Sequence, residues 1–231
     1  MRISARSTSR LTALLMFAVA LPFAVSSLAR MYRGTPTVQA AEIKPVELPK
    51  PVMTGGMPLM AALRARRTTR AFADKPLPPQ QLSNLLWAAF GVNRSSVEWH
   101  DPSGQSRPGR TAPSAVNSQD IAVYVALKEG VYLYQAEQNR LVPVVAGDMR
   151  NRIQSPPGGP AAAVLIYAAP SNDGSAQVDS GFIGQNVYLY AASEGLNAWF
   201  YALHGQDVAG ILKLPANQKV LFEQSVGYPP K

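Results

Sequence analysis

Arg64-Ala-Arg-Arg-Thr-Thr-Arg-Ala-Phe72 packs four arginines and two threonine hydroxyls into nine residues, and the rest of the chain is organised around it. Arg64, Arg66, Arg67 and Arg70 stand there with Thr68 and Thr69. A guanidinium presents a rigid fork of N–H donors that grips a phosphate at two points, and a threonine hydroxyl adds a short donor. Upstream, Leu59, Met60 and Leu63 share one face of a short helix opened by Pro58. Downstream, Pro76, Pro78 and Pro79 stop that helix from continuing. Placed where a helix ends, the cluster is a cradle for a phosphorylated cofactor. Taken alone, a solvated cationic face is the commoner outcome.

Composition removes several classes of function. The 231 residues include no cysteine, which excludes disulfides, thiolate catalysis, zinc–thiolate sites and iron–sulfur clusters. The formal charge of +8 is concentrated at the N-terminus. Arg2, Arg6, Arg10, Arg30 and Arg33 lie in residues 1–40 with no acid; without them 17 basic residues face 14 acidic ones, or +3. Basic and aromatic residues are not interleaved, so no nucleic-acid partner is expected.

The N-terminus reads as a targeting segment. Arg2, Arg6 and Arg10 precede an apolar run from Leu11 to Ala29, and Val38-Gln39-Ala40 offers small residues for cleavage before Ala41. Residues 1–40 are therefore a signal peptide or an N-terminal membrane anchor through residues 11–29. Either way the folded part lies outside the inner membrane, in the periplasm. Membrane contact is expected only through that segment. Residues 41–56, with Pro45, Pro49 and Pro51, read as a linker, and 57–231 as the folded domain.

Along that domain, Leu82, Leu85, Leu86, Ala89 and Phe90 mark a helix from Leu77 that stops at Gly91. Val92–Arg110 is a polar loop of lid length, containing His100 and Asp101. Then comes the small, polar run Pro113-Ser-Ala-Val-Asn-Ser-Gln119. Strands are expected at 121–127, 131–134, 141–145, 161–168, 196–203 and 220–226. A long helix capped by Asp179 ends before Gly195, and a short one runs from Gln206 to Leu212. Helices and strands do not alternate regularly, so the class is α+β. One histidine without a second ligand at the right spacing makes no metal site. His204 and Asp207 lack a nucleophile, and a capping role for Asp207 is the better expectation.

Five segments in order carry a resemblance. They are Arg-Arg-Thr-Thr-Arg-Ala-Phe at 66–72 with Leu-Leu-Trp-Ala-Ala-Phe-Gly at 85–91, Pro-Ser-Ala-Val-Asn-Ser-Gln at 113–119, and Gly-Val-Tyr-Leu-Tyr at 130–134. The last two are the helix at 181–196 and Val-Gly-Tyr-Pro at 226–229. Together they resemble the nitroreductase family, and most of all its SagB-type dehydrogenase branch.

The resemblance implies a nitroreductase-like fold, with a central, mostly antiparallel sheet flanked by helices, as a homodimer with FMN at the interface. By position, Arg66, Arg67, Thr68 and Arg70 would hold the phosphate and ribityl chain. Pro113, Ser114 and Ala115 would pack on the isoalloxazine from the partner. Asn117 and Gln119 would bond its polar edge or the ribityl hydroxyls, and the strand around Phe200 and Tyr201 would offer a backbone N–H to flavin N5. Hydride would come from NAD(P)H or another reductant and electrons would pass to a small organic acceptor, with no side-chain catalytic base. The alternative is an exported flavin-free or ligand-binding relative that keeps the fold without redox activity. Two departures stand out. The chain stops at Lys231, leaving one lysine where relatives often supply further basic contacts, and residues 170–179 lack the Lys-Tyr pairing associated with azoline oxidation.

Overall fold

In chain order the elements are β1 (Val46–Glu47), α1 (Leu59–Ala65), α2 (Pro79–Phe90), β2 (Val92–Arg94), β3 (Gly109–Arg110), β4 (Ala122–Ala126), β5 (Gly130–Gln135) and β6 (Arg140–Ala146). They continue with α3 (Arg150–Ile153), β7 (Ala163–Ala169), α4 (Gly174–Ser193), β8 (Asn197–Ala202), α5 (Val208–Leu212) and β9 (Lys219–Gly227). The computed structural model describes residues 42–95, 106–154, 159–202 and 207–231. His100, Asp101, His204 and the N-terminal segment 1–40 lie outside the described residues. Among the described residues no helix is long and apolar enough to cross a membrane.

Seven strands form one sheet in the order β1-β6-β5-β4-β7-β9-β8, with every neighbouring pair antiparallel. β7 is apolar throughout and buried along its length, as a strand covered on both faces must be. One face carries Val123, Val125, Leu165, Tyr167 and Val226 and packs against Leu85 and Leu86 of α2 and Ile183 and Val187 of α4. The other carries Tyr124, Val164 and Ile166 and meets Ile153 of α3 and Val208 and Leu212 of α5. The α+β class and the antiparallel sheet are as the sequence implies.

Three boundaries differ from the sequence expectation. α4 begins at Gly174, because Asp173 and not Asp179 is its cap: the Asp173 carboxylate accepts from Ala176 N–H at 2.9 Å. Asp179 is instead a buried mid-helix residue. Part of the 41–56 stretch, read as a linker, is stitched to the domain. Val46 pairs with Leu141, Leu48 N–H donates to Asn139 C=O at 3.2 Å, and Asn139 Nδ2 donates to Pro49 C=O at 2.8 Å. The polar loop after α2 has a two-stranded base, with β2 paired to β3.

Other expectations hold. α2 buries its apolar stripe, and Gly195 follows α4 with a left-handed φ of 67°. The Asp207 carboxylate caps α5 through Gly210 N–H at 2.8 Å. Trp87 is tied into the fold by Nε1 donating to Val92 C=O at 2.9 Å.

Candidate functional site

The arginine loop begins where α1 ends, and it clips onto the free edge of β8. Thr69 N–H donates to Ala198 C=O at 2.9 Å, and Ala198 N–H donates back to Thr69 Oγ1 at 3.2 Å. Asn197 Nδ2 donates to Ala71 C=O at 2.7 Å. This fixes the backbone and leaves the cations turned outward. Arg66 is half-buried over the Tyr188 ring at 5.4 Å, while Arg70 lies over Trp199 at 5.3 Å. Among the described residues none of Arg66, Arg67 and Arg70 meets an acidic side chain. Beside them lies a cavity of about 240 Å³ lined by Arg67, Thr69, Tyr188, Ala191, Ala192 and Asn197. Arg67 is the cation of that lining, and the small residues around it leave room for a ligand that a guanidinium can grip.

Tyr188 joins this loop to the strand. Its Oη accepts from Phe200 N–H at 2.8 Å and shares a 2.9 Å hydrogen bond with Thr68 Oγ1. The outward-facing N–H groups of β8 are thus those of Ala198 and Phe200, and alternation of the ladder makes Ala202 the next. The Phe200 N–H named from the sequence is engaged by a side chain, and the Tyr201 N–H faces β9. The Phe200 ring lies under α4, where Gly184 permits contact: a Cβ there would stand 2.6 Å from Phe200 Cδ2. Tyr201 tilts against Trp199 with ring centroids 4.7 Å apart.

The second loop is strained. Pro113 is exposed, and Ala115–Asn117 form a single 3-10 turn. Val116, Asn117 and Gln119 have φ of 45°, 55° and 50°. Gln119 organises the turn. Its N–H donates to Ser114 Oγ at 3.1 Å, and its Nε2 donates to Asn117 Oδ1 at 2.8 Å and Pro108 C=O at 2.7 Å. Its Oε1 accepts from Arg110 Nε at 2.8 Å. The Gln119 amide is therefore occupied by its own chain, and Asn117 Nδ2 is an amide donor that makes no hydrogen bond among the described residues. Arg110 is itself largely buried, and burial lowers its pKa from the usual value although Glu137, at 3.6 Å, opposes the shift. From α4, both Asp179 oxygens lie 3.0 Å from Ala115 N–H.

Among the described residues no hydrogen bond or ion pair joins the arginine loop to the 113–119 loop. α4 holds the second loop at Asp179 and the first at Tyr188. Nine residues of helix separate these by about 13 Å along the axis. Leu59, Met60 and Leu63 on α1, Val116 in the loop, and Val178 and Phe182 on α4 are exposed apolar residues in the elements that carry the two loops. Among the described residues there is no cluster of three His, Asp or Glu side chains that could hold a metal ion.

Sequence reasoning missed Tyr188, Asp179 and Arg110. Tyr188 follows the core position Val187, where helical spacing alone does not separate core from site. The sequence also passed over Glu223 on β9, which is fully buried. Among the described residues no well-formed hydrogen bond reaches either of its carboxylate oxygens, and the adjacent Tyr201 hydroxyl is close enough only to favour its charged form in part.

Comparison with known proteins gives one family. Residues 63–228 match the model of the Nitroreductase family. A crystal structure from Ralstonia eutropha that carries the nitroreductase name aligns with a TM-score of 0.71 and 35% identity, covering 82% of this chain and 91% of that one. A Methanocaldococcus jannaschii protein of the same name is 26% identical over 171 residues, 64% of this chain and 81% of its own length. A further structure, from Anabaena variabilis, shares the fold at TM-score 0.60 and 21% identity over 74% of this chain and 38% of its own.

Proposed function

The chain belongs to the nitroreductase family, and from that premise we propose that it is an FMN-dependent oxidoreductase acting as a homodimer. The observation that carries the proposal is the set of cations at the α1–β8 junction. Arg66, Arg67 and Arg70 fall within five residues of one loop without an acid among the described residues, and Arg67 lines a small-residue cavity. Three such cations gathered without a counter-charge repel one another, and an anion relieves the repulsion.

The donor set fits FMN. Arg66, Arg67, Arg70 and the Thr68 hydroxyl would hold the phosphate end. Tyr188 fixes β8 against that loop, and the next outward N–H of β8, that of Ala202, would face the ring. Pro113, Ser114, Ala115 and Asn117 would reach it from a second copy, since within one chain they stand at the other end of α4. The exposed apolar residues of α1 and α4 give that second copy a surface to cover. When bound, FMN supplies two-electron transfer between a reductant such as NAD(P)H and a small organic acceptor. The chain's own work is to bind, orient and exclude water; no side-chain base is assigned. We place the enzyme outside the inner membrane on the basic and apolar segment at 2–29.

An absorbance spectrum of the purified protein with added FMN tests this reading. Retained flavin bands, bleached anaerobically by NADH or NADPH, are the expected result. Bands that persist with both would keep FMN and require another reductant. Failure to bind FMN would favour the flavin-free relative, in which Tyr188 permanently occupies the Phe200 N–H.

A further inference from the structure

Left-handed backbone at three of the four positions 116–119 is unusual, and one of them is a valine. A β-branched residue at φ 45° is a steric outlier that persists only where surrounding contacts over-determine it. The Ser114–Gln119 and Gln119–Asn117 bonds close the turn on itself, and Arg110 and Pro108 tie Gln119 to the segment just before it. Among the described residues, the side-chain bond that reaches the turn from a helix of the core comes from Asp179 of α4.

That bond comes at a cost to the fold. Asp179 is 2% exposed, and Ala115 N–H is its hydrogen-bond donor among the described residues. No Lys, Arg or His pairs with it among those residues. Burial raises its pKa above the usual carboxylate value, and the Asp120 and Asp173 carboxylates push in the same direction. A carboxyl withdrawn from water with one donor and two like charges nearby destabilises the native state. An apolar residue would fill the position at lower cost, but it would release the turn.

We propose that Asp179 is the positioning residue of the second flavin loop. From the buried face of α4 it holds Ala115 N–H and locks the strained turn in the conformation that presents Val116 and the Asn117 amide to FMN bound at the arginines of a second copy. This rests on the FMN reading. Asp179 touches neither cofactor nor reacting atoms; it acts through the loop.

The test uses Asp179→Ala and Asp179→Asn in the full chain. Each is titrated with FMN, melted without FMN, and followed by amide hydrogen exchange over residues 114–119. Asp179→Ala is expected to bind FMN about tenfold more weakly or worse. Its loop amides are expected to exchange about tenfold faster, while its FMN-free form melts no lower than the wild type. Asp179→Asn keeps a carbonyl acceptor and is expected to recover most of the affinity. A merely structural residue would instead lower the melting midpoint in step with affinity, and that result overturns the proposal. Unchanged FMN affinity in Asp179→Ala also overturns it. If the wild type takes up no FMN, the flavin reading fails first, and exchange of the 114–119 amides then decides the clamp by itself: no difference between wild type and Asp179→Ala removes it. Should Asp179→Ala not fold, Ala115→Pro deletes the same bond from the donor side. Ser114 is already extended (φ −140°, ψ 150°), as a residue before proline must be.

Discussion

The Tyr188 hydroxyl accepts from Phe200 N–H at 2.8 Å while bonding Thr68 Oγ1 at 2.9 Å, so one side chain of α4 joins the arginine loop to the edge of the sheet. Tyr188→Phe keeps the ring under Arg66 and removes only the hydroxyl. Two hydrogen bonds at about 1 kcal/mol each set the expected loss of stability at roughly 1–2 kcal/mol. FMN affinity is expected to fall as well, because the spacing between loop and strand is no longer fixed. Melting with and without FMN separates the effects: a ligand bound only by the native state raises the midpoint according to its affinity. A variant that melts lower but gains the wild-type increment from FMN would make Tyr188 purely a stabilising residue.

Arg66→Ala with Arg70→Ala removes two candidate phosphate donors. Arg70 is exposed and Arg66 half-buried, and neither pairs with an acid among the described residues, so folding is expected to change by less than about 1 kcal/mol. Charge-assisted hydrogen bonds contribute about 1.5–3 kcal/mol each, which predicts FMN affinity lower by roughly a hundredfold or more. Equal affinity for wild type and double variant in a titration at fixed salt would dismiss the phosphate assignment.

Glu223 predicts an unusual pH dependence of stability. Burial pushes its carboxyl from the usual 4.5 up to about 7, and the Tyr201 hydroxyl opposes the shift only in part. With the native pKa above the unfolded one, the native state holds the proton more tightly through this interval. Stability from this group is therefore full below about pH 4.5, falls as pH rises to about 7, and stays low above that. Glu223→Gln is expected to flatten that slope and to stabilise the protein above pH 7 by roughly 1–3 kcal/mol. Denaturant titrations of both proteins at pH 5 and pH 8 check it. Parallel losses in the two proteins would mean that Glu223 is ionised at a lower pH than its burial implies.

What the sequence revealed follows from which forces are local. α2 was legible because its five buried apolar residues repeat at helical spacing, and β7 because an apolar run of small and β-branched residues has no other stable state. The arginine cluster stood out by residue type, and the structure sets its loop on the edge of β8; its ligand is part of the proposed function. β1 was not: two residues in a Pro-rich stretch become a strand only because β6 offers an edge. The start of α4 was misread because two aspartates compete for the cap, and only tertiary contact shows that Asp179 is occupied with Ala115. The duties of Gln119 and Tyr188 were hidden for the same reason. A side-chain amide or hydroxyl carries no sign of whether it will bond a ligand or its own fold.

The separation of the two loops on α4 leads to a prediction that dimerisation alone does not make. If each site takes its arginines from one chain and its 113–119 loop from the other, two different lesions can complement. One chain carries Arg66→Ala with Arg70→Ala; the other carries Ala115→Trp, which blocks the loop. Each homodimer then has two damaged sites. A mixed dimer has one site with both lesions and one with neither. Random pairing makes about half of the dimers mixed, so about a quarter of all sites are intact in an isologous dimer. Co-refolding equal amounts of the two FMN-depleted variants and titrating with FMN is expected to recover tight binding at about that fraction, while either variant alone shows none. Sites completed within one chain would give no recovery on mixing, because every chain carries a lesion of its own. The fraction recovered thus reports whether Tyr188 and Asp179 serve one flavin or the two halves of different sites.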